Sequence, residues 1–423
     1  MWTWVVRVLA IIGALAVVAA VVGAIVLGVK VNEGKQASGQ EAPQLDAFYA
    51  KPPDVPAAPG TIIRSEPLEY AVAGGKGYRI VYSGVGLQGE PVPISGMIFI
   101  PDAPAPGGGR KVLAFAHGTV GTAAVCAPSR ATTAAAMGFT PWLLPALQQG
   151  WVVVLTDYLG LGIQGPSTYL IGEQEARDVV SSVRAARAFP GAEAGSDWIV
   201  FGSSQGGNSA LWTANLAAEM APDLPLKAVM AAVPAAELGS TVSAQWDKVA
   251  VWALGPAVLA SWVPYYPDRD FLDTVSQEAQ DQLPKLSAKC IVGDALTGLL
   301  NESLGRKFFT SNPLDSPAWA QTLREQTPPP PPATLPMLLV QGTGDEVVLA
   351  GSNATLQDQW CAAGRPMSSL WLGGVSHQDT QSAGGPAAIE WAARRFDGLP
   401  PVDTCSFGVP APVVPIANPV PRS

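Results

Sequence analysis

Seven short apolar runs punctuate the chain, at residues 94–100, 112–116, 151–155, 198–201, 228–233, 337–340 and 369–372. Each is four to seven residues long, the length of a buried strand rather than of a helix. Between some of them the period changes. In 172–188, Ala176, Val179, Val180 and Val183 recur at i, i+3, i+4 and i+7, which places them on one helical face. Strands alternating with amphipathic helices build a mostly parallel sheet covered on both sides. The pattern predicts an α/β fold.

The alternation stops between 233 and 337, where helical apolar patches such as 249–263 replace strands. Residues 236–330 therefore read as a helical cap inserted into a core made of 61–235 and 331–400. The prolines at 328–332 close it as a stiff, extended connector. Residues 31–60 are polar and proline-rich and read as a linker, and 401–423 as a proline-rich tail that only Cys405 ties down. At the other end, residues 8–29 carry no charge and as a helix span roughly 33 Å, a bilayer core. Residues 1–30 read as a membrane anchor in preference to a cleaved signal, because the run is long and ends without a small-residue cleavage site. Arg7 before it and Lys30 and Lys35 after it balance, so flanking charge does not set orientation.

Composition narrows the chemistry. With 25 basic and 34 acidic residues among 423, and no cationic cluster, the chain has no electrostatic reason to bind nucleic acid. Cys126, Cys290, Cys361 and Cys405 are the only cysteines. None forms a CxxC pair or neighbours a histidine, which argues against zinc. An even count behind a membrane-targeting segment favours two disulfides and an exported domain. Three pairings remain open from the sequence.

Gly202-Ser203-Ser204-Gln205-Gly206 fits G-x-S-x-G, a weak signal alone in a chain with 44 glycines. Its setting strengthens it: an apolar strand precedes it and a small-residue helical stretch follows, the strand, tight turn and helix the motif requires. A serine hydroxyl needs an adjacent base to act as a nucleophile, and there are only two histidines, His117 and His377. His117 ends an early strand and is assigned to shaping the loop Ala116-His117-Gly118-Thr119. His377 follows the last strand through a glycine-rich loop and is the candidate base. Asp345, after the strand at 337–340, is the candidate carboxylate to orient it, with Glu346 a lesser competitor. The order Ser204, Asp345, His377 is that of α/β-hydrolases. The N–H of Gln205, at the helix start, is the first oxyanion donor. Asp157 precedes the serine and is assigned to loop structure or the pocket wall. Trp252, Leu254, Leu259 and Trp262 either line an acyl pocket or pack within the cap.

Beyond these residues, Phe48-Tyr49, Cys126-Ala127-Pro128-Ser129, Thr156-Asp157-Tyr158-Leu159-Gly160-Leu161-Gly162, Tyr169-Leu170-Ile171-Gly172 and Arg184-Ala185-Ala186-Arg187 complete a likeness over most of the chain. The sequence resembles the secretory lipase family of α/β-hydrolases, of the lipase A type. The resemblance implies hydrolysis of carboxylic esters, acylglycerols among them, by Ser204, Asp345 and His377 beneath a helical cap. It also implies the pairings Cys126 with Cys290 and Cys361 with Cys405. In the oxyanion loop Thr119 and Val120 follow His117-Gly118, which makes the Thr119 N–H, with its hydroxyl, the second donor. No cofactor or metal is needed. The expected partners are a lipid or small ester and, through the N-terminal segment, a membrane, for a monomeric enzyme. Two alternatives keep the fold: an envelope acyltransferase with the same triad, and a non-catalytic binding protein.

Overall fold

The computed structural model describes residues 42–133 and 140–410, with residues 35, 39 and 40. The expected anchor at 8–29 and residues 411–423 of the expected tail lie outside the described residues. Among the described residues no helix is long and apolar enough to cross a membrane.

Five parallel-paired strands form the centre: β4 (Arg110–Ala116), β5 (Val152–Thr156), β6 (Ala194–Ser203), β7 (Leu226–Ala232) and β8 (Met337–Gly342). Alternate side chains divide between two cores. Val112, Ala114, Val154, Val200, Ala231 and Leu339 face one, and Leu113, Phe115, Val153, Phe201, Met230 and Val340 the other. Both sides are apolar, so these strands show no polar alternation in the sequence. Helices α2 (Gly172–Ala188), α3 (Gln205–Met220) and α9 (Ala350–Ala362) cover the first face. Helices α1 (Thr140–Gln148) and α10 (His377–Phe396) cover the second, where Trp142 of α1 stacks on Phe115 with centroids 4.3 Å apart.

The sheet is extended by β9 (Ser368–Leu372) on one edge and by β1 (Ile62–Pro67), β2 (Gly75–Val85) and β3 (Pro91–Pro101) on the other, giving the order β1-β2-β3-β5-β4-β6-β7-β8-β9. The pairs β1/β2, β2/β3 and β3/β5 are antiparallel and the rest parallel. This is the α/β-hydrolase arrangement that the sequence predicts.

Two strands and one packed segment were not expected. β2 escapes an apolar scan because Arg79 interrupts it. Its guanidinium is fully buried, with Nε donating to Ser129 O at 2.7 Å and Nη1 to Glu66 at 2.9 Å. Much of the segment expected as a linker is packed. Ala42, Leu45, Phe48 and Tyr49 are buried against Val81 and Ile163, and Arg64 donates to Phe48 O at 2.6 Å. Four apolar residues spaced along a polar background suffice to hold it on the domain. At the far end, Ser368 Oγ donates to Val402 O at 2.6 Å and Cys405 is bonded to Cys361.

Between β7 and β8 the chain makes a helical excursion, with α4 (Leu238–Gln245), α5 (Ala250–Tyr265), α6 (Gln277–Leu286), α7 (Ile291–Ser303) and α8 (Pro317–Glu325). It has its own aromatic core. Trp252, Leu259 and Trp262 pack there with Phe271, Phe308 and Trp319, so these residues of the suggested acyl pocket fill the interior of the excursion instead. Its anchorage is to loops leaving the C-terminal ends of the parallel strands. Ile291 N donates to Val120 O at 2.9 Å after β4, Tyr169 N to Ser261 Oγ at 3.0 Å after β5, and Gln245 Nε2 to Glu346 O at 2.8 Å after β8. The Cys126–Cys290 disulfide joins the same two parts across 164 residues. In the chain-entropy account such cross-links contribute about 5 kcal/mol for the long loop and about 4 for the 44-residue loop of Cys361–Cys405.

Candidate active site

The site is built where β4, β6 and β8 deliver loops to one end of the sheet. β6 turns sharply into α3 at Ser204, whose φ of 58° and ψ of −115° are strained for a residue with a side chain. The flanking glycines make the turn possible. A Cβ on Gly202 would overlap the carbonyl oxygen of Gly206, and one on Gly206 that of Ala116. Backbone bonds pin the turn, with Ser204 N donating to Ala232 O at 2.9 Å and Ala235 N to Ser204 O at 3.2 Å.

His377 opens α10, and Ser376 caps that helix by accepting from Asp379 N at 3.3 Å. The His377 ring is 7% exposed, with Nε2 3.0 Å from Ser204 Oγ and Nδ1 2.8 Å from Asp345 Oδ2. Because Nδ1–H donates to the carboxylate, the proton stays on Nδ1 and Nε2 is left to accept from the serine hydroxyl. Asp345 is itself fixed: its Oδ1 accepts from Val347 N at 2.9 Å and Val348 N at 2.8 Å, and its Oδ2 from Gln341 Nε2 at 3.3 Å. Gln341 in turn accepts from Asn353 at 2.7 Å. The Glu346 side chain accepts from the backbone N–H of His377, at 3.4 Å, and does not reach its ring. Three residues drawn from sequence positions 204, 345 and 377 thus form one hydrogen-bonded line.

The loop after β4 lies against this line. A side-chain carbon on Gly118 would sit 3.2 Å from Ser203 O and 3.5 Å from Ser204 Cβ. Among the described residues neither Gln205 N–H nor Thr119 N–H has a protein acceptor, as expected of a first helical residue and an open loop. The Thr119 hydroxyl is engaged, 2.9 Å from Tyr169 Oη. His117 does not join the line: its Nδ1 is 2.7 Å from Gly118 O and its Nε2 3.2 Å from Asp157 O. Burial holds its ring below the usual imidazole range. The Asp157 side chain fastens surrounding elements, accepting from Ser95 Oγ at 2.5 Å, Ser129 N at 2.9 Å and Ser129 Oγ. No group of His, Cys, Asp or Glu among the described residues could hold a metal ion.

Residues 127–404, well over half of the chain, match the family described as secretory lipase. The chain belongs to the secretory lipase family. Among its relatives, this family member is 28% identical to Lipase 1 of Candida albicans over 291 residues, 62% of this chain but only 58% of that protein, less than two thirds of its length. It is 25% identical over 385 residues to a Mycobacterium tuberculosis protein named as a probable inactive lipase, with 85% and 84% of the two chains covered. Among solved structures, Candida antarctica lipase A superposes with a TM-score of 0.68 and 20% identity over 89% of this chain and 91% of that one. That likeness carries the fold.

The lipase-family core also buries carboxyls that the sequence left unremarked. Burial pushes Glu175 up to about 7 and Asp178 to about 8 in α2, Glu237 to about 7 before α4, and Asp294 to about 7 in α7, and it raises Asp157 as well. Each holds a proton in the native state at pH values where the unfolded chain has lost it. Stability therefore falls as pH rises from the ordinary carboxyl range towards 8. His117, lowered instead, works in the opposite sense below its ordinary value, and the lowered carboxyls Asp223 and Glu325 do so only at and below the ordinary carboxyl range. The melting temperature is expected to be a few degrees lower at pH 8 than at pH 5; a flat or rising profile in calorimetry refutes this.

Proposed function

We propose that the protein is a serine carboxylic-ester hydrolase acting on lipid or other small esters, with Ser204 as nucleophile, His377 as general base and acid, and Asp345 as the residue that orients the ring. The observation that carries this reading is the continuous line from Ser204 Oγ through His377 to a carboxylate held by two backbone N–H groups. Ser204 attacks the ester carbonyl while His377 Nε2 takes its proton. The tetrahedral oxyanion faces the N–H groups of Gln205 and Thr119, and His377 returns the proton to the departing alcohol. Water, activated by the same imidazole, then releases the acid from the acyl-serine. None of these steps calls for a cofactor. The helices between β7 and β8 act as a cap over this end of the sheet, a role supported by their bonds to the loops after β4, β5 and β8.

The domain is further proposed to work outside the cytoplasm as a single chain, held at the membrane by residues 8–29. Two disulfides, the apolar run and a triad supplied by one chain support that placement. A second reading, a non-catalytic member, is favoured by one finding: the mycobacterial relative is named inactive. A fluorophosphonate probe separates the two. Hydrolysis of p-nitrophenyl butyrate, with covalent labelling confined to the peptide containing Ser204, is the expected result. Folded protein that neither hydrolyses the ester nor takes the label is the non-catalytic member.

A further inference from the structure

Behind the nucleophile lies a carboxylate that the triad does not use. Glu175, in the first turn of α2, is fully buried and has no Lys, Arg or His within ion-pair distance among the described residues. Three donors converge on it instead. Gln205 Nε2 donates to its Oε1 at 2.7 Å, Leu170 N to the same oxygen at 2.9 Å, and Ser209 Oγ to its Oε2. Once ionised, above the value near 7 to which burial raises it, the carboxylate accepts from all three.

Those three donors are not scattered. Gln205 follows Ser204, and its backbone N–H is one of the two groups assigned to the oxyanion. Leu170 follows Tyr169, whose hydroxyl is 2.9 Å from the Thr119 hydroxyl, and Thr119 carries the other. Leu170 also sits at a φ of 54°, a costly conformation for a residue with a side chain; its N–H bond to Glu175 helps to hold it there. One buried group thereby ties together the supports of both arms of the oxyanion site, from behind and without touching the substrate. The arms come from different strands, β4 and β6, and among the described residues Gln205 makes no other side-chain hydrogen bond.

The geometry points to Glu175 as a positioning residue that sets the spacing of the Gln205 and Thr119 N–H groups. This rests on the serine-hydrolase reading above and deepens it. Because transition-state charge is held by groups fixed in advance, a displaced donor lowers the rate far more than it weakens substrate binding. Glu175→Gln retains the shape but cannot accept from all three donors. Gln205→Met removes only the amide link and leaves the carboxylate with two.

The test measures kcat and KM for p-nitrophenyl butyrate at pH 8.5, above the value near 7 to which burial pushes this carboxyl. The concentration of active sites is counted by fluorophosphonate titration. Both variants are expected to lose about 10- to 100-fold in kcat per titrated site, with KM within about twofold. Affinity for an alkyl trifluoromethyl ketone, which forms a tetrahedral oxyanion on the serine, should fall by the same factor as kcat/KM. A purely structural role would lower the melting temperature or the titrated fraction and leave kcat per site and ketone affinity unchanged. That result in Gln205→Met, the variant with the lesser burden on folding, overturns the inference even if Glu175→Gln fails to fold. A wild-type protein inert to both ester and phosphonate overturns the hydrolase reading and this inference together. An active wild type with unaltered variants overturns the inference alone.

Discussion

Ser204→Ala is expected to lower kcat for p-nitrophenyl butyrate by about 10⁵-fold or more while the protein stays folded. The alanine removes the hydroxyl 3.0 Å from His377 Nε2 and leaves the backbone bonds of the turn untouched. The strained φ is a property of the turn, which Gly202 and Gly206 make possible, so the variant should melt within a few degrees of the wild type. Residual rate above solvent should persist, because the N–H groups of Gln205 and Thr119 remain to stabilise the oxyanion of a water attack. Turnover near that of the wild type would remove Ser204 from its role. A pure preparation that reacts with fluorophosphonate at another residue would move the nucleophile there.

Asp345→Asn should cost about 10⁴-fold in kcat, with KM little changed, and the reason can be read from its contacts. The side-chain oxygen facing Val347 N and Val348 N must remain an acceptor, so the asparagine amide oxygen takes that place and its NH₂ turns towards His377 Nδ1. The ring must then accept at Nδ1 and carry its proton on Nε2, where it faces the Ser204 hydroxyl as a donor. The base is present but in the wrong tautomer. Gln341 Nε2, 3.3 Å from the same position, adds a second donor opposed to the new NH₂. Single-turnover assays of acylation check this; a loss below about tenfold would show that the carboxylate contributes little beyond packing.

What could be read from the sequence followed a simple rule: features fixed by local pattern were visible, and those created by distant contact were not. The central strands stand out because both their faces are apolar, and α2 because its apolar residues repeat with the helical period. Ser204, Asp345 and His377 could be singled out because each follows a strand and because histidine is so scarce. Gln341, by contrast, is an ordinary polar residue at the end of β8, and only the fold brings it to Asp345. A polar side chain closing an otherwise apolar, buried strand was the available signal. Glu175 was less visible still. Within Gly172-Glu173-Gln174-Glu175 it reads as the solvated first turn of a helix, yet Gln174, Glu175 and Asp178 are fully buried. The loops after β5 and β6 close over that turn, and no periodicity in α2 records their approach. The packed segment from Ala42 was hidden by its prolines, since its four apolar anchors follow no regular repeat.

The Cys126–Cys290 bond limits how the helical excursion can move against the sheet. The excursion leaves the sheet at the end of β7 and rejoins it at β8, and the disulfide adds a third fixed point beside the loop that carries Thr119. A body held at three points cannot lift off like a lid. With all three points held, movement requires bending within the excursion itself. Thiol reductants would release one of the three restraints and leave the excursion held only where it joins β7 and β8.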